Sequence, residues 1–196
     1  LRFTDSVKKI KAAIDSGRLG KLLLGDVYMK YYRSPEYYAS SGWRGTWAMD
    51  GGGALMNQGI HGIDLLTYLM GPVDSVFAVT RTLDRDIEVE DAAIINVVYK
   101  NGAIGVIQGT TCVTPGYPRR MEISGTKGTI ILEEDTIVKW DVEGEESQAE
   151  EKTTDVASSR DPAAFTTSLH KKQIEDFIFA IDENKTYEMY YDFSEK

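Results

Sequence analysis

Between residues 73 and 144 one strand-like run follows another, with connections too short to hold a helix. The runs are VDSVFAVTR (73–81), EDAAIINVVYK (90–100), AIGVIQGTTCV (103–113), RRMEISGT (119–126), GTIILEE (128–134) and TIVKWDVEG (136–144), rich in β-branched and aliphatic residues. Asn101-Gly102 joins two of them. An Asn-Gly pair tolerates positive φ, so the sequence predicts a type I′ hairpin there. Thr126-Lys127-Gly128 and Asp135 mark further turns. A parallel pair needs a crossover of about a dozen residues or more, so at least five strands joined this tightly favour antiparallel neighbours.

The flanks supply helices. Val7, Ile10 and Ile14 recur at helical spacing behind a cap at Thr4 or Asp5, and the pattern stops at Gly17. KLLLGDVYMKYYR (21–33) reads as a strand leading to Pro35, and SPEYYASSGWRGTWAMD as an irregular aromatic loop of the kind that often lines sites. A helix is predicted over 53–70, closed by Gly71-Pro72. A last helix opens at Asp161-Pro162, with Leu169, Ile174, Phe177, Ile178 and Ile181 available for a buried face. The expectation is an α+β domain: a large, mostly antiparallel open sheet with helices on one face, formed by residues 1–196 as a single unit.

Charge narrows the partners. The net charge is −9, but residues 133–151 hold nine acidic residues against Lys139 alone and account for −8 of it. What is left is nearly neutral, which speaks against a nucleic-acid footprint or a membrane-surface patch. The stretch LRFTDSVKKIKAAIDSG does not read as a signal peptide, no apolar run reaches membrane-spanning length, and the single cysteine, Cys112, excludes an internal disulfide and a cysteine metal cluster. A cytoplasmic protein without a metal site is expected.

The stretch GGGALMNQGIHGIDLL (51–66) carries the chemistry. Advancing about 100° per residue from Asn57 puts Asp64 near −20°, Tyr68 near +20° and His61 near +40° on a helix. The rest of the circumference is apolar. Such a helix reads as largely buried, and polar groups inside it need partners from the protein or from a ligand. The residues alone leave two readings of His61: a satisfied core histidine, or a group that meets substrate. Asp64 either orients His61 or belongs to a structural network.

In this helix the sequence resembles the Gfo/Idh/MocA family of NAD(P)-dependent oxidoreductases. The resemblance runs through RF near the start, SGRLGKL, GWRGTWAMDGGGALMNQGIHGIDLLTYLMG, EVEDAAIINVVYKNGAIGVIQGTT, ISGTKGTI and DPAAF followed by HKKQIEDF. It implies the substrate-binding, catalytic and oligomerisation domain of a two-domain dehydrogenase. The dinucleotide-binding Rossmann domain is expected to be missing from this chain, since no strand leads into G-x-G-x-x-G. It further implies that His61 is the general acid or base on a substrate hydroxyl, with Asn57 one turn before it in place of the commoner aspartate. Trp43, Arg44, Tyr117 and Asp64 are the implied substrate contacts, although Arg44 can equally make a surface pair and Tyr117 can be turn packing. The implied cofactor is NAD or NADP in a full-length enzyme, with none bound to this chain, which by itself is expected to be inactive. The implied substrate is a sugar or polyol, and a homo-oligomer through the open sheet face is expected. Two alternatives stand beside this: a noncatalytic binding or dimerisation module, and an NAD-dependent glycosidase or lyase variant of the same family.

Overall fold

The computed structural model describes residues 1–150 and 168–183. Helix α1 (Asp5–Asp15) starts where the Thr4 hydroxyl accepts the Val7 N–H, and it buries Val7, Ile10 and Ala13. Strand β1 (Leu22–Lys30) follows, then a short helix α2 (Pro35–Ala39) inside the segment read as irregular loop. A π-helical turn (Leu55–Gly59) runs into α3 (Ile60–Met70). Strands β2 (Val73–Arg81), β3 (Ala92–Tyr99), β4 (Ile104–Thr110), β5 (Arg120–Gly125), β6 (Gly128–Glu133) and β7 (Thr136–Val142) complete the sheet, and α4 spans Ser168–Asp182.

All seven strands form one sheet in the order β2-β3-β4-β1-β5-β6-β7. Five of the six pairings are antiparallel, as short connections require, and β1 with β4 is parallel. The parallel pair is possible because everything from α2 to β3 lies between its members and serves as the crossover.

Alternation along the strands divides the sheet into two faces. One carries Val27, Met29, Met121, Ile123, Leu132 and Trp140, all buried beneath α1 and the Leu65, Leu66, Leu69 and Met70 side of α3. Each such fully buried aliphatic side chain contributes about 1.5–3 kcal/mol. The register places Leu24, Phe77, Val79, Ile94, Val98 and Ile104 on the other face, where they stay exposed.

Three local expectations are corrected. The Asn101-Gly102 turn is not type I′: Gly102 has φ +84, whereas Asn101 is not among the residues with positive φ. Gly102 N–H reaches Tyr99 O at 2.8 Å and Tyr99 N–H reaches Ala103 O at 2.9 Å, a three-residue loop with glycine in the left-handed position. The Asn101 amide explains the choice, since it donates to Met70 O and accepts from Ala103 N–H, which ties the hairpin to the end of α3. The helix expected over 53–70 is π-helical from Leu55 to Gly59. On α4, Ile174, Phe177, Ile178 and Ile181 are exposed and Ala180 is buried. This helix reaches the start of α1, with Lys172 Nζ 3.5 Å from Phe3 O, and does not lay those side chains on the sheet. The expected start of the last helix at 161–162 lies outside the described residues.

Candidate active site on the π turn and helix α3

The glycines before the π turn let another backbone come close. A Cβ on Gly53 would overlap the Glu90 carbonyl oxygen and stand 2.9 Å from the Glu90 nitrogen. Through that gap Glu90 takes three successive N–H groups: Gly53 to Oε2 at 2.9 Å, Leu55 to Oε1 at 3.0 Å and Ala54 to its carbonyl at 2.8 Å. Gly62 is a second close approach, with a Cβ there overlapping Met29 Sδ and lying 3.2 Å from Val27 and 3.3 Å from Arg119 Cδ. Absence of side chains at these points seats α3 directly on β1, which answers why a helix would carry costly glycines.

The chain then turns from Leu55 to Gly59 with Gly59 N–H bonded to Ala54 O at 2.8 Å, an i to i−5 closure. A π turn takes in one more residue than an α turn, so the 100° spacing used to place Asn57 does not hold across it. The helix is also less buried than its composition suggests: Met56, Ile60 and His61 are exposed and Asn57 is half-buried. His61 is therefore not a sealed core histidine.

Surrounding protein on one side of the His61 ring strips part of its hydration and lowers its pKa below the ordinary imidazole value. The Arg119 guanidinium adds to that depression, while Asp64 opposes it. Arg119 is buried beneath α3, anchored by donating to Glu134 O at 2.8 Å. A fixed cation thus disfavours the imidazolium and keeps a neutral, proton-accepting ring at the surface. Tyr31, pushed up to about 12 by burial, is no competing acid or base near neutrality.

The other expected residues separate. Asp64 is committed to a structural pair in which Arg2 Nε donates to Oδ2 at 3.0 Å and Nη2 to Oδ1 at 2.5 Å, with Arg2 also lying 4.8 Å from the Tyr68 ring centre. The Arg2 pair fits the network reading, and Asp64 also acts electrostatically on His61. Trp43 and Arg44 do come toward the turn: the Arg44 guanidinium lies 4.4 Å from the Tyr37 ring and 4.9 Å from the Trp43 ring, and the Tyr37 hydroxyl accepts from Gln58, next to Asn57. Arg44 also donates to Ser40 and Ser41, both at 2.9 Å.

Tyr117 goes elsewhere. It lines an open cavity of about 460 Å³ with Tyr28, Lys30, Arg120, Glu122 and Glu133, on the sheet face opposite α3, and is not brought to His61. His170 is exposed on α4. Among the described residues no three His, Cys, Asp or Glu side chains gather in a way that could hold a metal ion, and no helix is long and apolar enough to cross a membrane.

Sequence reading missed Arg2, Arg119 and Glu90. The first two sit in short segments without periodicity, RF and PRRME, and nothing local marks them. Glu90 had a signal in EVED, where acidic residues crowd the start of a strand that otherwise favours apolar ones.

Residues 7–131 match the GFO/IDH/MocA C-terminal domain. A Thermotoga maritima protein named myo-inositol 2-dehydrogenase is 31% identical over 154 residues, covering 74% of this chain and 43% of that protein. The WlbA dehydrogenase from Bordetella pertussis, solved in complex with NADH and UDP-GlcNAcA, is 38% identical with a TM-score of 0.70 over 74% of this chain and 46% of that one. WlbA from Chromobacterium violaceum, with the same two ligands, is 32% identical with a TM-score of 0.78 over 95% and 52%. The chain spans about half or less of the length of the curated relatives it matches.

Proposed function

Since the chain belongs to the GFO/IDH/MocA C-terminal domain family, we propose that residues 1–196 are the substrate-binding and catalytic part of an NAD(P)-dependent dehydrogenase acting on a sugar or polyol secondary alcohol. His61 carries the reading: an exposed imidazole beside a half-buried Asn57, with protein and Arg119 holding it below its usual protonation. A neutral imidazole accepts the proton of a substrate hydroxyl as that carbon is oxidised, and returns it in the reverse direction. Asn57 has an amide, which cannot relay a proton; it hydrogen-bonds the substrate and orients it. Trp43 offers the apolar face of a sugar ring a flat partner, positioned by the Arg44 and Tyr37 stack.

The nicotinamide cofactor supplies the hydride acceptor. The triple glycine does not fit its pyrophosphate, because Glu90 already occupies the N–H groups of Gly53, Ala54 and Leu55 and sets a carboxylate where an anion would sit. We assign dinucleotide binding to a part of the enzyme other than these residues, which leaves this piece inactive by itself. The open face, with Phe77 at 67% and Ile94 at 50% exposure, is assigned to self-association.

The test is His61→Ala in the full-length protein, assayed with NAD and NADP against myo-inositol and UDP-GlcNAcA. Turnover is expected to fall about 100-fold or more with cofactor affinity unchanged; undiminished turnover would sink the assignment.

A further inference from the structure

The segment EVED (88–91) matches the family yet has no part in the chemistry above, and its carboxylates are all turned on backbone N–H groups. Glu88 Oε2 accepts from Trp47 at 2.9 Å. Asp91, fully buried, accepts from Leu83 and Asp84 at 2.8 Å and from Arg85 at 2.9 Å. Glu90 accepts from Gly53 and Leu55 with its two oxygens.

The first N–H groups of a helical segment have no partner within it, and a neighbouring Ser, Thr, Asp or Asn ordinarily supplies one. Ala54 precedes the π turn and makes no side-chain cap bond. A glutamate 35 residues downstream does so instead, using a carboxylate at the positive end of the turn, where negative charge is favoured. The neighbouring carbonyls tie the turn together: Gly53 O accepts from Asn57 N–H at 3.2 Å, an i to i−4 bond, and Ala54, whose own N–H the Glu90 carbonyl holds, closes the π turn by accepting from Gly59 N–H at 2.8 Å. Glu90 is itself held, because Asp91 N–H bonds to Arg81 O at 3.1 Å and Asp91 O accepts from Thr111 N–H at 3.0 Å, at the root of β3.

We propose that Glu90 is a positioning residue for Asn57 and His61: it clamps the glycine turn against the sheet and so sets the π-helical register in which both side chains are presented. The functional half of this inference rests on the dehydrogenase reading; the clamp does not. Without the carboxylate, Gly53 and Leu55 lose their acceptors and only the Glu90 carbonyl, on Ala54 N–H, still holds the turn in its wider closure. The shorter α closure then becomes available and moves Asn57 relative to His61.

The experiment uses full-length wild type, Glu90→Ala and Glu90→Gln, with His61→Ala as the control. Amide hydrogen exchange reads the clamp without any substrate. In E90A the amides of 53–59 should lose protection while β5 to β7 keep theirs; unchanged protection at Asn57 and Gly59 overturns the proposal. Turnover is read with whichever of myo-inositol and UDP-GlcNAcA the wild type oxidises, using substrate deuterated at the oxidised carbon as well. A displacement of about 1 Å costs on the order of 100-fold, so kcat should fall 10- to 100-fold in E90A. E90Q, which retains one acceptor oxygen, should fall less. The deuterium isotope effect on kcat should rise, whereas a mere loss of folded enzyme would leave it unchanged. If H61A collapses turnover and E90A does not, the positioning role is wrong. If H61A is harmless while exchange changes in E90A, the clamp stands and the catalytic reading falls.

Discussion

Asp64→Ala tests whether the carboxylate in the middle of α3 belongs to the fold or to the substrate. Arg2 is 3% exposed and both Asp64 oxygens face its guanidinium, so the substitution leaves a buried cation without its carboxylate. Removing one partner of a buried pair costs about 3–5 kcal/mol. Two features reduce that here. The Asp64 side chain is 28% exposed, so water has already screened part of the pair. Arg2 also keeps the face of Tyr68, worth about 1 kcal/mol. The expected loss is therefore about 2–3 kcal/mol, which for a chain of this size lowers the melting temperature by roughly 5–10 °C. Urea unfolding and calorimetry of Arg2→Met, Asp64→Leu and the double variant complete the cycle. An apolar pair should recover most of the loss, because neither charge is then left alone. A D64A protein within about 0.5 kcal/mol of wild type, or a double variant as unstable as the sum of the singles, would refute the structural assignment and return Asp64 to the substrate.

Charge and surface arrangement set two further outcomes. In an NMR titration, with the two imidazoles distinguished by His170→Gln, His61 should titrate below the ordinary value of about 6.5, and Arg119→Met should move it upward. Because its folded pKa is depressed, the His61 contribution to stability is present above the ordinary imidazole pKa and lost as pH falls through the folded value; a midpoint at or above the ordinary value contradicts the proposed electrostatics. On the open face, Phe77→Glu with Ile94→Glu should convert an oligomer to monomers in light scattering without shifting the melting of the α1 and α3 side. An unchanged mass would move the association surface elsewhere.

What can be read along the chain depends on what is local. Alternation and turn residues set the strands between 73 and 142 nearly residue for residue, because both act over a few positions. The Gly71 stop and the Thr4 cap are local as well. The π turn is not: a helical wheel assumes one period, whereas here a carboxylate from the root of β3 dictates another. Buried polar side chains defeat local reading for the same reason. Asp64 keeps two readings open until Arg2, from just before α1, pairs with it, and nothing in the sequence marks Arg119 until Gly62 opens room for it beneath the helix. Tyr117 is two residues from Arg119 in sequence yet lines the cavity on the opposite face, because both precede β5, where strand alternation does not apply, and the Tyr117 N–H is tied to Lys30 O. By itself the sequence determined the α+β sheet and that His61 and Asn57 travel together, because spacing within one segment suffices for that. Only the tertiary structure decided which carboxylate holds the helix, which holds the glycine turn and which way His61 is biased, because those depend on charges brought together from positions up to 62 residues apart.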